Sequence, residues 1–294
     1  MEGLNGDSAP QQQPNGKTNG NGVKNGDGGA PAPAVWTERE GSALYVPRID
    51  WSAAGLQEDR SQYEITAKLF YLPTTTTTAG VAARPAHARE ALDLVRRELG
   101  GAADVDLLIV SFPGISFEGD CEWEADKLNA TMGDGDAEAA TWAAAIEPLR
   151  AEGRARRLGV AEFGSEKLRR FLDDDRVRSR ADDRPGPAVD QINVRNCCSV
   201  PPPLTELARQ EGIELLTHSD CTDILPSGTL RELLGQGAGG AGVLADGPGG
   251  PGGRGLKGDL VPQWVVKYTA VVKDRGVIEN KGYFAAAELV ENSS

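Results

Sequence analysis

The chain carries few residues whose type and spacing could do chemistry. Its histidines are His87 and His218, and its cysteines are Cys121, Cys197, Cys198 and Cys221. Neither histidine is spaced from cysteine or carboxylate as zinc ligands are, so no metal site is expected. His87, early in a helix, is read as solvated, and His218, ending a strand beside Ser219 and Asp220, as structural. A serine hydrolase needs a strained G-x-S-x-G turn, which is missing. Gly16-Lys17-Thr18 looks like the end of a phosphate-binding loop, but Gln11 stands where that loop needs glycine. Cys197-Cys198 follow a predicted strand and precede Pro201-Pro202-Pro203. Such thiols could bond a partner cysteine or sense oxidant, with Cys221 as a third candidate. They could equally be two small half-buried residues filling a loop.

The elements that must position these residues alternate. Residues 63–72 (YEITAKLFYL) read as a strand, rich in aromatic and β-branched residues. Ala88, Ala91, Leu92, Val95 and Leu99 put an apolar stripe on a helix that ends at Gly100-Gly101. Residues 105–112 (VDLLIVSF) form an apolar run typical of a strand buried on both faces. An Ala-rich helix over 137–152, a strand over 157–161, a helix lined by Leu168, Phe171 and Leu172, and a strand over 189–194 follow. A helix over 201–210 opens with prolines at its first turn, where a missing N–H costs little. Residues 213–217 form a strand, 261–272 a helix with Trp264, Tyr268 and Val271 on one face, and 276–278 a last strand. This alternation predicts a parallel α/β architecture. A barrel is favoured over an open dinucleotide-binding sheet because no G-x-G-x-x-G turn follows an early strand.

Composition bounds the rest. Of 37 glycines, eight fall in residues 1–35 and eleven in 236–258. Residues 1–40 are expected to be a disordered tail, 41–290 the barrel domain, and 236–258 a flexible Gly-rich insertion. Acidic residues outnumber basic ones 44 to 31, a net charge of −13, which disfavours nucleic acid and anionic membranes as partners. No apolar run approaches the ~18 residues of a membrane helix, and the N-terminus lacks the basic and apolar segments of a signal peptide. Four cysteines without such a signal point to a reducing, cytoplasmic location.

The segments 65–69, 106–113, 158–163 and 190–193 resemble successive barrel strands of the aldo/keto reductase superfamily. Gln191-Ile192-Asn193, Cys197-Cys198, Pro202-Pro203-Leu204-Thr205, 213–218 and the stretch from Trp264 through Gly282-Tyr283 resemble the regulatory (modifier, light-chain) subunits of glutamate–cysteine ligase, a branch of that superfamily. The resemblance implies an α/β fold of the (β/α)8 (TIM) barrel kind. A reductase of this superfamily uses a tyrosine acid, a lysine and aspartate that tune it, and a histidine that orients the carbonyl. Lys68 takes the lysine position and Ser111 the histidine position, while Tyr45 and Asp50 stand in the wrong order for the other two. The Ser-Asn pair that holds a nicotinamide carboxamide corresponds to Ala161 and Glu162; Gln191 is retained, and Lys281 falls near the phosphate-binding lysine.

Lys68, Ser111, Ala161, Glu162, Gln191 and Lys281 are therefore expected to form a vestigial reductase pocket. Lys68 and Gln191 persist either as structural hydrogen-bonding groups or as remnants of NADP(H) binding. The resemblance implies a non-catalytic subunit without cofactor. It would form a heterodimer with the catalytic subunit of glutamate–cysteine ligase and activate the first step of glutathione biosynthesis. The alternatives are a divergent NADPH-dependent aldo/keto reductase and a redox-sensing scaffold working through Cys197 and Cys198.

Overall fold

The computed structural model describes residues 32–52, 55–73, 80–101, 104–178, 185–195, 199–221, 223–246 and 255–290. A one-turn helix α1 (Pro33–Trp36) leads into an antiparallel hairpin, β1 (Glu38–Glu40) and β2 (Ala43–Tyr45). Regular structure thus begins a few residues ahead of the expected boundary at 41.

The main sheet starts with β3 (Tyr63–Tyr71), in which Ile65, Ala67, Leu69 and Tyr71 turn one way and Thr66, Lys68 and Phe70 the other, as period-2 alternation requires. Helix α2 (Gly80–Glu98) lays Ala88, Ala91, Leu92 and Val95 on the first set. It stops where Gly100 and Gly101 take φ of 74° and 87°, left-handed angles that any side chain would strain. Strand β4 (Val105–Ser111) follows, then α3 (Glu122–Asn129), α4 (Gly135–Thr141), a π-helical turn over Trp142–Ile146, and α5 (Glu147–Ala151). Next come β5 (Ala155–Ala161), α6 (Ser165–Leu172), β6 (Val189–Asn193), α7 (Pro202–Glu211), β7 (Glu214–His218) and α8 (Thr229–Leu234). One continuous core joins the helices to the outer face of the strands and holds Trp142, Phe163, Phe171 and Trp264. A small second core of Leu107, Ile109, Ala161 and Val189 lies on the inner face.

Strands β3 to β7 pair in parallel and in chain order, as the wall of a (β/α) barrel is built. The α/β class and the parallel central sheet are those the sequence predicts. Two features differ. Residues 261–272, expected as a helix, belong to β8 (Asp259–Val272), which pairs antiparallel with β3 from Tyr63↔Val272 to Tyr71↔Trp264. The expected strand over 276–278 is the start of a much longer one, β9 (Val277–Val290), antiparallel to β8. The described sheet therefore has seven strands in the order β7-β6-β5-β4-β3-β8-β9. The place beside the first strand, which a last parallel strand takes in an eight-membered ring, belongs to this hairpin.

Part of the Gly-rich stretch is also built into the fold. Val243, Leu244 and Ala245 are buried, the Ala245 N–H donates to Leu256 O at 2.8 Å, and Leu256 N–H to Val243 O at 2.8 Å. Residues 247–254 lie outside the described ones.

The sheet curls strongly. Lys68, Ile109, Gly159, Val189 and Glu214 form one register row from β3 to β7, and His218 stands on the same face further along β7. Four strand spacings would set β3 and β7 about 19 Å apart in a flat sheet. Yet Lys68 Nζ lies 3.2 Å from His218 Nε2. Curvature and the stagger of tilted strands bring the two together, as in a barrel wall.

Candidate functional site

The carboxyl ends of the parallel strands surround a polar cluster with Lys68 at its centre, 4 % exposed. β3 supplies Lys68, β7 and the residues after it supply His218 and Asp220, the turn after β5 supplies Glu162, and β8 supplies Lys267. His218 Nε2 contacts both Lys68 Nζ at 3.2 Å and Glu162 Oε1 at 2.5 Å. The Asp220 N–H donates to His218 Nδ1 at 3.1 Å. Asp220 Oδ1 accepts from Lys267 Nζ at 2.6 Å, and Asp220 Oδ2 lies 3.8 Å from Lys68 Nζ. Lys267 also faces the Tyr283 ring, paired with it across β8 and β9.

Glu162 is held in an unusual conformation. Its φ of 64° is the one positive value at a non-glycine position among the described residues. Strain of this kind persists where surroundings over-determine it, and here they do. Glu162 N–H donates to Gln191 O at 2.9 Å. Asn129 Nδ2 donates to Glu162 O at 2.6 Å and to Ser116 O at 2.7 Å, while its Oδ1 accepts from Gly164 N–H at 2.6 Å. Asp126 accepts from both the N–H and the hydroxyl of Ser165, each at 2.6 Å, at the start of α6. A Cβ on Gly164 would fall 2.4 Å from Asp126 Oδ1 and 2.9 Å from Asn129 Oδ1, so any side chain here would displace these two bonded groups. The result aims the Glu162 carboxylate inward, where Oε2 accepts from the Asn193 N–H at 3.3 Å.

The charges follow from burial. Removal from water pulls the Lys68 ammonium down to about 8, outweighing the attraction of Glu162 and Asp220. Burial pushes Asp220 up, but the Lys267 hydrogen bond and the charges of Lys267 and Lys68 hold it below the usual carboxylate range. Lys267 moves in the complementary direction, raised by Asp220 against its own burial. Asp190, fully buried on β6, is pushed well above the carboxylate range by desolvation. Its Oδ1 accepts from Phe163 N–H at 3.4 Å, and its Oδ2 has no hydrogen-bond partner among the described residues.

The residues expected to form the pocket meet only in part. Lys68 and Glu162 share the cluster through His218. Gln191 stands on the same sheet face, its Oε1 buried without a partner among the described residues. Ser111 ends β4, half-buried opposite Phe70. Ala161 is sealed in the inner apolar core. Lys281 does not join them: it is exposed on β9 opposite Thr269, and Tyr283 takes the row of Lys267 and Lys68. His87 sits half-buried on α2, its imidazolium disfavoured by burial. His218, read as structural, bridges Lys68 and Glu162 in the cluster.

Asp220, Lys267, Asn193 and Tyr283 escaped the sequence reading. A polar residue at or just past the end of a parallel strand was the available signal for Asn193 and Asp220; Lys267 and Tyr283 lie inside the antiparallel β8 and β9, where no such signal exists. Cys197 and Cys198 lie outside the described residues. Cys221 is exposed, with Arg195 Nη1 3.6 Å from its sulfur, and Cys121 is exposed at the N-cap of α3.

Of the positions matched to a nicotinamide cradle, Gln191 keeps a buried side-chain oxygen without a partner among the described residues, while the others do not suit that group. Ala161 has no side-chain donor, both oxygens of Glu162 are engaged by protein groups, and Lys281 lies two residues along β9 from Tyr283, outside the row of Lys68 and Lys267. Among the described residues no helix is long and apolar enough to cross a membrane.

The chain is 25% identical over 231 residues to the glutamate–cysteine ligase regulatory subunit of Mus musculus, covering 79% of this chain and 68% of that protein. It is 24% identical over 253 residues to a putative glutamate–cysteine ligase regulatory subunit of Schizosaccharomyces pombe, covering 80% and 75%. Among solved structures, an aldo/keto reductase from Brucella melitensis aligns with a TM-score of 0.31 at 20% identity, over 51% of this chain and 47% of that one. The chain thus spans under half the length of that structure. Residues 49–233, more than half of the sequence, match the pattern of the aldo/keto reductase family, and the chain belongs to that family.

Proposed function

We propose that this chain is a non-catalytic regulatory subunit that binds the catalytic subunit of glutamate–cysteine ligase and activates it in the cytoplasm, at the first step of glutathione biosynthesis. The observation that carries this reading is the filled mouth of the barrel. The reductase lysine is kept as Lys68, but the space beside it holds the His218 ring and the Glu162 carboxylate rather than a tyrosine acid. A proton donor aimed at a bound carbonyl contributes roughly 10²–10⁴-fold to such a reaction. Its position here is closed by protein groups, and no nicotinamide is required. The names of the similar proteins support the same role. Activation is then a coupling free energy: the subunit binds the active conformation of its partner better than the inhibited one.

The test mixes purified chain with the catalytic subunit and measures the Michaelis constant for glutamate and inhibition by glutathione. A lower constant and weaker inhibition are expected, and no change in either refutes the role. Quenching of NADPH fluorescence with aldehyde turnover, abolished by Lys68→Met, would instead mark a working reductase.

A further inference from the structure

Helix α3 is folded with its polarity inverted. A helix on the surface of a domain turns its apolar residues inward and its polar ones to water. At about 100° per residue, Trp123, Lys127 and Leu128 fall within about 140° of one another, and Ala125, Asp126 and Asn129 face the other way. The buried side carries the polar pair. Asp126 accepts from the N–H and hydroxyl of Ser165, and Asn129 bonds Ser116 O, Glu162 O and the Gly164 N–H. The outer side carries the large apolar pair: Trp123 is 57 % exposed and Leu128 45 %. The inner hydrogen bonds tie the helix to the turn after β5. Trp123 and Leu128 are therefore presented to water from a fixed element.

The charge around them has one sign. Residues 118–124 (EGDCEWE) hold four carboxylates and no base, and Glu118, Asp120 and Glu124 are exposed. The helix dipole accounts for carboxylates in the first turn. It does not account for an exposed indole among them, or for Leu128 at the other end of the same face. An indole flanked by carboxylates is the complement of a cation: the ring face attracts it and the carboxylates pair with it.

We propose that the outer face of α3 docks a basic protein surface, with an arginine or lysine on Trp123 and an apolar side chain on Leu128. Charge selects this occupant. A second copy would bring the same carboxylates against these and be repelled, and so would a phosphate backbone or an anionic membrane. Resting on the regulatory role proposed above, the catalytic subunit supplies the basic surface. α3 follows the carboxyl end of β4 and is bonded to the turn at the carboxyl end of β5, so the partner sits at the same end of the strands as the Lys68 cluster.

The test measures the dissociation constant of the full chain for purified catalytic subunit. Tryptophan is enriched among the residues that dominate interfaces, so Trp123→Ser with Leu128→Ser is expected to raise Kd at least ~10-fold. Trp123→Phe, which keeps a ring, should lose less. Asp120→Lys with Glu124→Lys should slow association and flatten its dependence on salt. Leu233→Ser is the control, because Leu233 is as exposed (54 %) but stands on α8; it should leave Kd unchanged. These side chains face solvent, so the variants should melt within a few degrees of the parent. Parent-like binding by the Trp123 and Leu128 variants overturns this docking face and leaves the regulatory role standing. No binding by the parent chain removes both. Tighter binding after the charge reversals would assign an acidic partner surface and overturn the proposal as well.

Discussion

A lysine taken out of water and given one good partner costs the folded state free energy for as long as it is charged. Lys68 is such a group, with a folded pKa near 8 against 10.5 in the open chain. Below pH 8 both states hold the proton and the full penalty stands. Between pH 8 and about 10 the folded chain sheds it first, the unfolded chain binds more protons, and stability rises with pH. We expect urea midpoints to report a gain of up to ~3 kcal/mol across that interval relative to Lys68→Met. Parallel pH profiles for the two proteins would show that Lys68 is not desolvated. A second residue acts through the backbone. Asn129, fully buried, bonds Ser116 O, Glu162 O and Gly164 N–H and so fixes the strained turn at Glu162. Asn129→Ala leaves those groups buried without partners and should lower stability by roughly 2–4 kcal/mol. A thermal midpoint within 1–2 °C of the parent would refute that role.

Elements β3 to β7 were legible because each carries one unambiguous period: an apolar run for a strand, a stripe at 3.6 for a helix. β8 was not, because Trp264, Tyr268 and Val271 are spaced to share a helix face while Trp264, Val266, Tyr268, Ala270 and Val272 also alternate. Its β-branched content favoured the strand, and pairing along all of β3 settles it. The cluster was half legible. Lys68 and Glu162 were read from family resemblance, but the contact of Lys68 with His218 depends on sheet curvature, which no local pattern encodes. Two outcomes follow at this scale. Trp264, fully buried between the strand and α2, should cost about 3–5 kcal/mol when replaced by alanine; a loss below 1 kcal/mol would argue against strand packing here. The segment 247–254 leaves and returns where Ala245 and Leu256 are bonded. Because closure entropy varies slowly with loop length, replacing it by Gly-Ser-Gly should shift stability by less than about 1 kcal/mol, read from urea midpoints.

For the whole molecule, an exposed edge and a large net charge oppose each other. β9 is fourteen residues long, pairs on one side with β8 among the described residues, and exposes Val277, Ile278, Tyr283 and Leu289. A long apolar edge is a template for adding another strand, including that of a second copy. The charge of −13 resists this. For two such spheres in contact, the repulsion is several kcal/mol near 10 mM salt, where the Debye length is ~30 Å, and on the order of 1 kcal/mol at 0.15 M, where it is ~8 Å. The isolated chain is therefore expected to sediment as a monomer at 10 mM salt and to show a growing dimer fraction at 0.5 M. Ile278→Lys with Tyr283→Lys should abolish that dimer without altering the monomer's thermal midpoint by more than a few degrees, since both side chains already face solvent. A dimer that is insensitive to salt, or that survives both substitutions, would place self-association elsewhere on the surface. A species that forms more readily at low salt would mean that charge attracts the copies rather than holding them apart.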